Sequence, residues 1–400
     1  MRIIIRIILA TVVLFSTLTG ARAQAVGDSI EASLLTCSPG TQVYSIYGHT
    51  GLRVRNLTKG IDVVFNYGVF DFRRPHFTWH FVLGECDYEV DAFPYEMFLE
   101  EYRHRGSSVI EQRLNLTPEE ANRLFALLVT NCQPENKTYR YNFLLNNYMT
   151  RARDIIEDAV GGTVVYEEAE DHPTYRQLLH RMTEDYPWEE VGNDLLLGAK
   201  CDTVLSDRAA QFLPEQLMRY MAQAQVYDDQ NNRHPLVAST TELVAARPQA
   251  RAEGFPLSPL VMGLLVVVAF VLVALLEYVI WRQLWGFDIL VMLAQGLAGV
   301  LLTFMAVFSH HPTVTANWQL WILNPLPLLC IVWVVRCAIH RRRCLYHYLN
   351  LLALVLFIVF MPWIPQDFSA LTLPLALALL TRPVSYLIHY NRNNAQSQQS

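Results

Sequence analysis

The composition of the chain changes near Pro256. From there to the C-terminal region, long apolar stretches follow one another with short polar breaks, as expected of segments surrounded by lipid. The five candidate spans are residues 259–281, 287–308, 318–339, 345–363 and 370–389. Each is close to the roughly 20 residues that a helix needs to cross a bilayer. Before Pro256 the chain is charged and mixed in composition. The sequence therefore predicts a globular domain joined to an all-helical bundle in a membrane.

The basic residues between the spans predict the orientation of this bundle. The loop after the third span is strongly basic around Arg341, whereas loops 309–317 and 364–369 contain neither Lys nor Arg. Because cytoplasmic loops carry an excess of Lys and Arg, the basic loop is assigned to the cytoplasm. Arg282 and Arg392 fall on the same side. The globular domain is then exported, and the C-terminus lies in the cytoplasm.

The chain begins in the form of a secretory signal peptide. Two arginines precede an apolar run from Ile7 to Phe15, and the small residues Ala21 and Ala23 suit cleavage before Gln24. An uncleaved anchor helix is the alternative, and either reading exports the next domain. The predicted organisation is a signal peptide at 1–23, an exported domain at 24–227, a polar linker at 228–256, the five-helix membrane domain at 257–390 and a disordered tail at 391–400.

Composition narrows the possible partners. The net charge is −6 and 52% of the residues are hydrophobic, which argues against a nucleic-acid partner. Four exported cysteines allow three disulfide connectivities, of which the sequence selects none, and we expect at most one bridge. Their spacing is too wide for a zinc ribbon. His76 and His80 share a helical spacing without an evident acidic partner, so no metal and no cofactor is expected.

Local patterns predict an exported domain of the α+β class. Alternating residues over 51–55 and 61–67 indicate a β-hairpin, and residues 87–91 alternate like a further strand. Thr117 with Pro118 and Glu120 is typical of a helix start with a capping box. Further helices are predicted at 148–160, which Gly161 and Gly162 end, and at 212–225.

Two segments have the residues and the local order that catalysis needs. In Gly-His-Thr-Gly at 48–51, His49 lies between a glycine and a strand, where an imidazole can be held at an edge and titrate near neutral pH. In Asn-Tyr-Met-Thr-Arg at 147–151, an extended run ends and a helix opens. An anionic nucleophile at such a helix start is favoured by the helix dipole.

These segments resemble the exported domain of the Lnb-type lipoprotein N-acyltransferases of bacteria. The resemblance extends through Leu-Leu-Thr-Cys at 34–37, Phe-Asn-Tyr-Gly at 65–68, Arg-Gly-Ser-Ser at 105–108, Leu-Asn-Leu-Thr at 114–117 and Leu-Leu-Leu-Gly at 195–198. It also covers the five spans. More loosely, the His-first order is similar to the permuted papain-like fold of NlpC-type hydrolases. The implied architecture is an α+β, permuted papain-like domain followed by a five-helix bundle in the bacterial cytoplasmic membrane.

The resemblance also implies a reaction with phospholipid and lipoprotein as partners. A Cys thiolate takes an acyl chain from a phospholipid, and the α-amino group of a lipoprotein's N-terminal Cys then accepts it. His49 is implied as the general base, and a helix-start amide as the oxyanion donor. Here the sequence departs from the family, because Tyr148 stands where that Cys is expected. An unperturbed phenol has a pKa of about 10 against about 8.5 for a thiol, so it is roughly thirty-fold less anionic at pH 7.

The bulk of the ring also matters, since misplacing a reacting atom by about 1 Å can cost on the order of a hundredfold in rate. We therefore expect an impaired or repurposed family member. Two alternatives stay open. One is a non-catalytic paralogue that binds lipid or lipoprotein. The other is a thiol peptidase or amidase acting on cell-wall peptides, with Cys37 as the first cysteine to test.

Other residues are candidates for substrate or lipid contacts. Tyr47 and Asn147 adjoin the two catalytic positions. Arg151 and Arg153 could clamp a lipid phosphate, because a guanidinium fork suits that group, or they could pair with acidic neighbours on the helix.

Two further sites belong to the membrane half. His310 and His311 lie in an outward loop at headgroup level, where they could bind phosphate, join the catalytic site or simply cap two helices. Glu277 in the first span is expected to extend toward the cytoplasmic interface, with an intramembrane partner as the alternative.

Overall fold

The computed structural model describes residues 28–42, 45–70, 73, 75–248 and 254–397. The predicted signal peptide lies outside these residues. The strands are β1 (Ile30–Cys37), β2 (His49–Asn56), β3 (Ile61–Val69), β4 (Asp87–Pro94), β5 (Val109–Leu114), β6 (Thr138–Arg140), β7 (Thr163–Val165), β8 (Gln225–Tyr227), β9 (Arg233–Pro235) and β10 (Val237–Val244). The helices before the membrane are α1 (Phe77–Leu83), α2 (Tyr95–Arg105), α3 (Pro118–Asn131), α4 (Tyr148–Ala159), α5 (Tyr175–Thr183), α6 (Pro187–Leu196), α7 (Asp207–Ala210) and α8 (Pro214–Gln223).

A seven-stranded antiparallel sheet forms the centre of the exported domain. Its order is β10-β5-β1-β2-β3-β4-β6, and a small three-stranded sheet has the order β7-β8-β9. Because successive side chains of a strand point to opposite faces of the sheet, β1 contributes apolar side chains to both faces. Leu34 packs on one face with the apolar sides of α3, α4 and α8. Leu35 packs on the other face with α2. The domain is thus the predicted mixture of strands and helices, arranged as a sheet covered on both sides.

The predicted local elements are present. The hairpin at 51–67 is the β2–β3 pair, and the alternation at 87–91 lies within β4. Thr117 accepts a hydrogen bond from the Glu120 amide, and the Glu120 carboxylate accepts one from the Thr117 amide, which completes the expected capping box. The helix predicted at 148–160 is α4, and the helix predicted at 212–225 is α8.

The prediction of a polar linker at 228–256 is wrong for residues 233–235 and 237–244, which form strands β9 and β10. Residues 237–244 form β10, which pairs with β5 and becomes an edge strand of the large sheet. The side chains of this strand are largely exposed, so its sequence lacks the apolar alternation that marks a half-buried strand. The position of β10 in the sheet is determined by backbone hydrogen bonds with β5 and not by burial of its side chains.

The membrane half consists of helices α9 (Pro259–Ile280), α10 (Trp285–Phe308), α11 (Leu326–Ile339), α12 (Leu345–Phe360) and α13 (Thr372–Ser397). In the described chain, four segments are long and apolar enough to cross a membrane, and they contain α9 to α12. The fifth helix, α13, has Pro383 within it and continues to Ser397. The prediction of a disordered tail is therefore wrong for residues 391–397. Residues 398–400 lie outside the described part.

Glu277 does not extend toward the interface, which corrects the expectation from its position in the first span. It is fully buried, and Arg382 of α13 donates a hydrogen bond of 2.8 Å to its carboxylate. The same guanidinium donates at 2.7 Å to Asp288 of α10. One arginine therefore joins three helices through two carboxylates. A charge inside a membrane is expensive without such partners.

The exported domain is joined to the outer loops of the bundle by hydrogen bonds. The amide of Gly198 donates to the carbonyl of Thr313 at 2.8 Å, and Asn317 donates through its side chain to the carbonyl of Leu195 at 2.8 Å. A Cβ on Gly198 would lie 2.2 Å from the carbonyl oxygen of Thr315. This close backbone approach explains the glycine at the end of the Leu-Leu-Leu-Gly motif.

Candidate active site

His49 begins β2, directly after a turn that requires glycine. Gly48 has a φ of +74°, and a Cβ there would lie 2.7 Å from the carbonyl oxygen of Cys37. A side chain with a Cβ is therefore disfavoured at this position both by conformation and by space. The His49 Nε2 atom lies 2.9 Å from the Oδ1 atom of Asn66 on β3. Since the amide oxygen of Asn66 accepts, Nε2 donates and Nδ1 carries the lone pair.

Tyr148 is the first residue of α4, and Asn147 caps this helix. The Asn147 side-chain oxygen accepts hydrogen bonds from the amides of Met149 and Thr150, each at 3.0 Å. Its side-chain nitrogen donates to the carbonyl of Phe212 at 2.8 Å, which attaches the helix start to the chain before α8. The amide of Tyr148 lies outside this cap, and it is the helix-start donor that an oxyanion could use.

The structure brings His49 and Tyr148 together. Their ring centroids lie 4.6 Å apart with an angle of 44° between the planes. The Tyr148 hydroxyl donates to the carbonyl of Gly48 at 3.3 Å. A Cβ on Gly68 would lie 2.9 Å from the His49 ring and 3.5 Å from the Tyr148 ring. Gly68 thus leaves room for both rings at the end of β3.

Both rings are held in their neutral forms. Burial lowers the pKa of His49 to about 4, although the hydrogen bond with Asn66 acts in the opposite direction. Burial also raises the pKa of the Tyr148 phenol well above its usual value. At neutral pH the site therefore contains an uncharged imidazole beside an uncharged phenol. An uncharged imidazole can still accept a proton, so the base function of His49 is chemically available.

Cys37 lies next to this pair on the neighbouring strand. It is the direct antiparallel partner of His49, which places the two side chains on one face of the sheet. The thiol is buried, and burial raises its pKa well above the usual range despite a hydrogen bond with Tyr102. Together with Cys132 and Cys201, it forms no disulfide. The nearest thiol to His49 is thus protonated and enclosed.

Tyr47 lies close to the site but is used for packing. Its hydroxyl accepts a hydrogen bond of 2.8 Å from Asn193 of α6, and its ring packs on Phe143 at 4.8 Å. Burial raises the pKa of Tyr47. The residue connects the turn before His49 to α6, the helix that precedes the junction with the membrane bundle at Gly198.

The two arginines of α4 have different positions. Arg153 is buried, and it donates to Asp154 at 2.7 Å and to the carbonyl of Arg208 at 2.7 Å. Arg153 thus forms the pair with an acidic neighbour that the sequence allowed, and its burial argues against a contact with lipid phosphate. Arg151 is partly exposed, donates to Asn146 at 2.8 Å and lies over the ring of Tyr139.

His310 and His311 do not reach the His49 site. The ring of His311 lies 2.9 Å from the carbonyl oxygen of Phe81, and His310 lies 3.5 Å from the carboxylate of Glu85. Glu85 is also 3.3 Å from His80, so it is the acidic partner that sequence reasoning missed for that histidine. Both histidines therefore contact the exported domain at the C-terminal end of α1.

One further group has the composition of a metal site. His180, Glu190 and Asp194 have ligand atoms within 4.8 Å of one another. Asp194 already accepts from Arg176 at 2.6 Å and lies 2.9 Å from His180, which raises the pKa of His180. The guanidinium thus supplies the positive charge that the carboxylate needs.

Asn66 is the residue of the site that sequence reasoning missed as a contributor. It stands in the Phe-Asn-Tyr-Gly motif at 65–68, which contributed to the resemblance but had no assigned role. A polar side chain between the aromatic residues Phe65 and Tyr67 is the signal that could have found it. Its contact with His49 orients the imidazole, as the third member of a catalytic triad does.

An exported α/β domain in which a His and a Tyr ring pack together, set on a helical membrane bundle, defines a membrane protein of the cell envelope. Residues 19–181 match the family model of the Lnb N-terminal periplasmic domain, and residues 250–394 match that of the Lnb transmembrane domain. The chain belongs to the Lnb-type family and is an inner-membrane, multi-pass protein with a periplasmic N-terminal domain. No curated protein and no solved structure gives a significant match.

Proposed function

We propose that this chain binds phospholipid and lipoprotein at the outer face of the cytoplasmic membrane as a member of the lipoprotein N-acyltransferase type that lacks the thiol step. The observation that carries the proposal is the Tyr148 ring at the start of α4, 4.6 Å from the ring of His49. A nucleophile of this reaction type needs a base beside it and a helix-start amide nearby, and position 148 has His49 as its neighbour and is the first residue of a helix.

The reaction that a thiol at position 148 supports has two halves. In the first, the thiolate attacks the ester carbonyl of a phospholipid, the C–O bond breaks, and lysophospholipid leaves with the proton that His49 had taken. In the second, the α-amino group of a diacylated lipoprotein attacks the thioester, an amide forms, and the thiolate is regenerated. His49 takes the amine proton in that half, so atoms and protons balance over the cycle.

Tyr148 is poorly suited to the first half. Its hydroxyl donates to the carbonyl of Gly48 rather than to His49, and burial raises its pKa. Deprotonation would therefore break a hydrogen bond and place a charge in an apolar environment. The raised pKa of the buried Cys37 argues in the same way against a thiol peptidase built on that residue.

The docking of the two halves supports the proposed orientation. Loops that include Thr313 and Gln366 hydrogen-bond to the exported domain, so they lie on its side of the membrane. Five crossings then bring the C-terminus to the cytoplasm. This orientation agrees with the basic loop around Arg341.

The test is acyl transfer by purified full-length protein in phospholipid vesicles with a diacylated lipopeptide, followed by mass spectrometry. We expect binding of a fluorescent lipopeptide but no N-acylated product from the native chain. Tyr148→Cys should form product, and adding His49→Ala to it should abolish that product. Tyr141→Cys is the matched control, because Tyr141 is a buried tyrosine of the same apolar core.

Two outcomes would overturn the proposal. One is product from the native chain that persists in Tyr148→Phe and disappears in Cys37→Ala, which would make Cys37 the nucleophile. The other is the absence of lipopeptide binding by folded native protein.

A further inference from the structure

Helix α1 exposes large apolar side chains although it belongs to the exported domain. None of its seven residues is buried, and the side chains of Trp79 and Phe81 are 53% and 45% exposed. Exposed apolar groups of this size in one short helix mark an interaction surface. The contacts of α1 with the membrane bundle indicate what covers this surface.

Trp79 lies against a membrane-spanning helix. Its ring packs on Phe304 of α10 with the centroids 5.1 Å apart. Phe304 lies four residues before the end of α10 at Phe308, which corresponds to about 6 Å along the helix axis. Trp79 is therefore beside the outer end of a transmembrane segment, at the depth where Trp side chains concentrate in membranes.

The other end of α1 meets polar groups. The hydroxyl of Ser309 donates to the carbonyl of Val82 at 2.8 Å, and the amide of His310 donates to the carbonyl of Leu83 at 2.8 Å. His80 and His310 both approach the carboxylate of Glu85. An apolar side next to a polar rim is the arrangement of a helix that lies at a membrane–water interface.

A continuous row of rings connects α1 with the site. We call it the aromatic row: Phe77 packs on Phe70 at 5.9 Å, Phe70 on Tyr88 at 4.8 Å, and Tyr88 on Tyr141 at 3.9 Å. Tyr88 and Tyr141 share one apolar core with Tyr148. Apolar packing thus extends without interruption from the bilayer surface to the start of α4.

We propose that α1 is an interfacial helix whose partner is the acyl region of the outer leaflet, and that it places lipid chains at the end of the aromatic row. The identity of that lipid as the phospholipid bound at the His49 site rests on the proposed function, whereas the insertion of α1 does not. A protein partner on the same face is the competing outcome, and it predicts a water-exposed α1 in protein-free vesicles.

The test is the depth of spin labels on full-length protein in phospholipid vesicles. Trp79→Cys and Phe81→Cys are labelled separately, and the unsubstituted chain is labelled as a blank for its own cysteines. Met97→Cys is the matched control, because Met97 is 50% exposed on α2 but lies between Glu96 and Glu100. The measurement is the ratio of collision rates with oxygen, which concentrates in lipid, and with a water-soluble nickel chelate.

We expect the ratio at positions 79 and 81 to be several-fold higher than at position 97. Equal ratios at all three positions would overturn the proposal. Because the readout does not depend on lipopeptide binding, protein that fails to bind lipopeptide but shows high ratios would still support insertion. Protein that binds lipopeptide but shows low ratios would refute insertion and leave the proposed function intact.

Discussion

The start of α4 and the interior of the membrane bundle both contain ionisable side chains packed away from water, but they hold them in different ways. In the bundle, Arg382 is paired with Glu277 and Asp288. At the site, His49 is held by the neutral Asn66 and packs on the neutral phenol of Tyr148. The two regions therefore differ in the substitutions they tolerate. A buried ion pair depends on every partner, whereas a neutral site keeps its charge balance when one uncharged side chain replaces another.

The largest loss of stability is expected from Arg382→Leu. It leaves two buried carboxylates without their cation, and breaking such a cluster costs about 3–5 kcal/mol. Thermal unfolding in detergent measures the loss. Arg392→Leu is the control, because the partners of Arg392 are the rings of Tyr278 and Trp281 and the carbonyl of Tyr278, none of which is charged. Addition of Glu277→Gln and Asp288→Asn should restore stability, and failure to do so would show that charge is not the cause.

The next largest effect is the pH dependence that His49 confers on the stability of the fold. Its pKa of about 4 in the folded chain lies below the value of about 6.5 expected when unfolded, so the unfolded state binds the proton more readily. The contribution of the neutral His49 to the free energy of unfolding is complete above pH 6.5. It is lost as the pH falls toward 4, which lowers that free energy by up to about 3 kcal/mol. Urea unfolding of native protein and His49→Gln at several pH values measures the difference. Parallel curves would contradict the burial of a neutral imidazole.

A smaller effect is expected at the junction of the two regions. Gly198→Ala places a methyl group 2.2 Å from a backbone carbonyl of the bundle, and overpacking of this kind costs about 1–3 kcal/mol. Protease digestion should reveal a loosened exported domain. Gly192→Ala in α6 is the control, because nothing lies within 4 Å of its Cβ position. Equal digestion of both variants would argue against a close junction at Gly198.

The smallest effect is expected from Tyr148→Phe. It removes only the hydrogen bond to the carbonyl of Gly48, which is worth about 1 kcal/mol. Chemical unfolding compared with the native chain tests this value. A loss as large as that of Arg382→Leu would show that the site depends on its partners no less than the ion cluster does.

Local chemistry explains which parts of the fold the sequence predicts. The capping box at Thr117 and the helix start at Asn147 depend on neighbours within four residues, and both are present as expected. The spans follow from length and apolar character. The pairing of His49 with Tyr148 came from resemblance to a family, since two positions so far apart in the chain carry no local signal for it.

Long-range contacts explain what the sequence does not predict. Glu277 and Arg382 are 105 residues apart, so the position of Glu277 near the inner end of its span suggested exposure instead. Strand β10 is placed by backbone pairing with β5, which leaves no apolar pattern to recognise. The role of Asn66 depends on β2 and β3 being neighbours in the sheet, and only the folded register makes that contact evident.

Whether position 148 is the nucleophile position can be tested by intact-protein mass spectrometry of Tyr148→Cys after incubation with phospholipid vesicles and no amine acceptor. Without the acceptor, the first half of the reaction stops at the thioester. We predict one added acyl chain on residue 148 of this variant, removed by hydroxylamine, and none on the native chain. A folded Tyr148→Cys protein that stays unacylated, or a native chain acylated at Tyr148, would contradict this prediction.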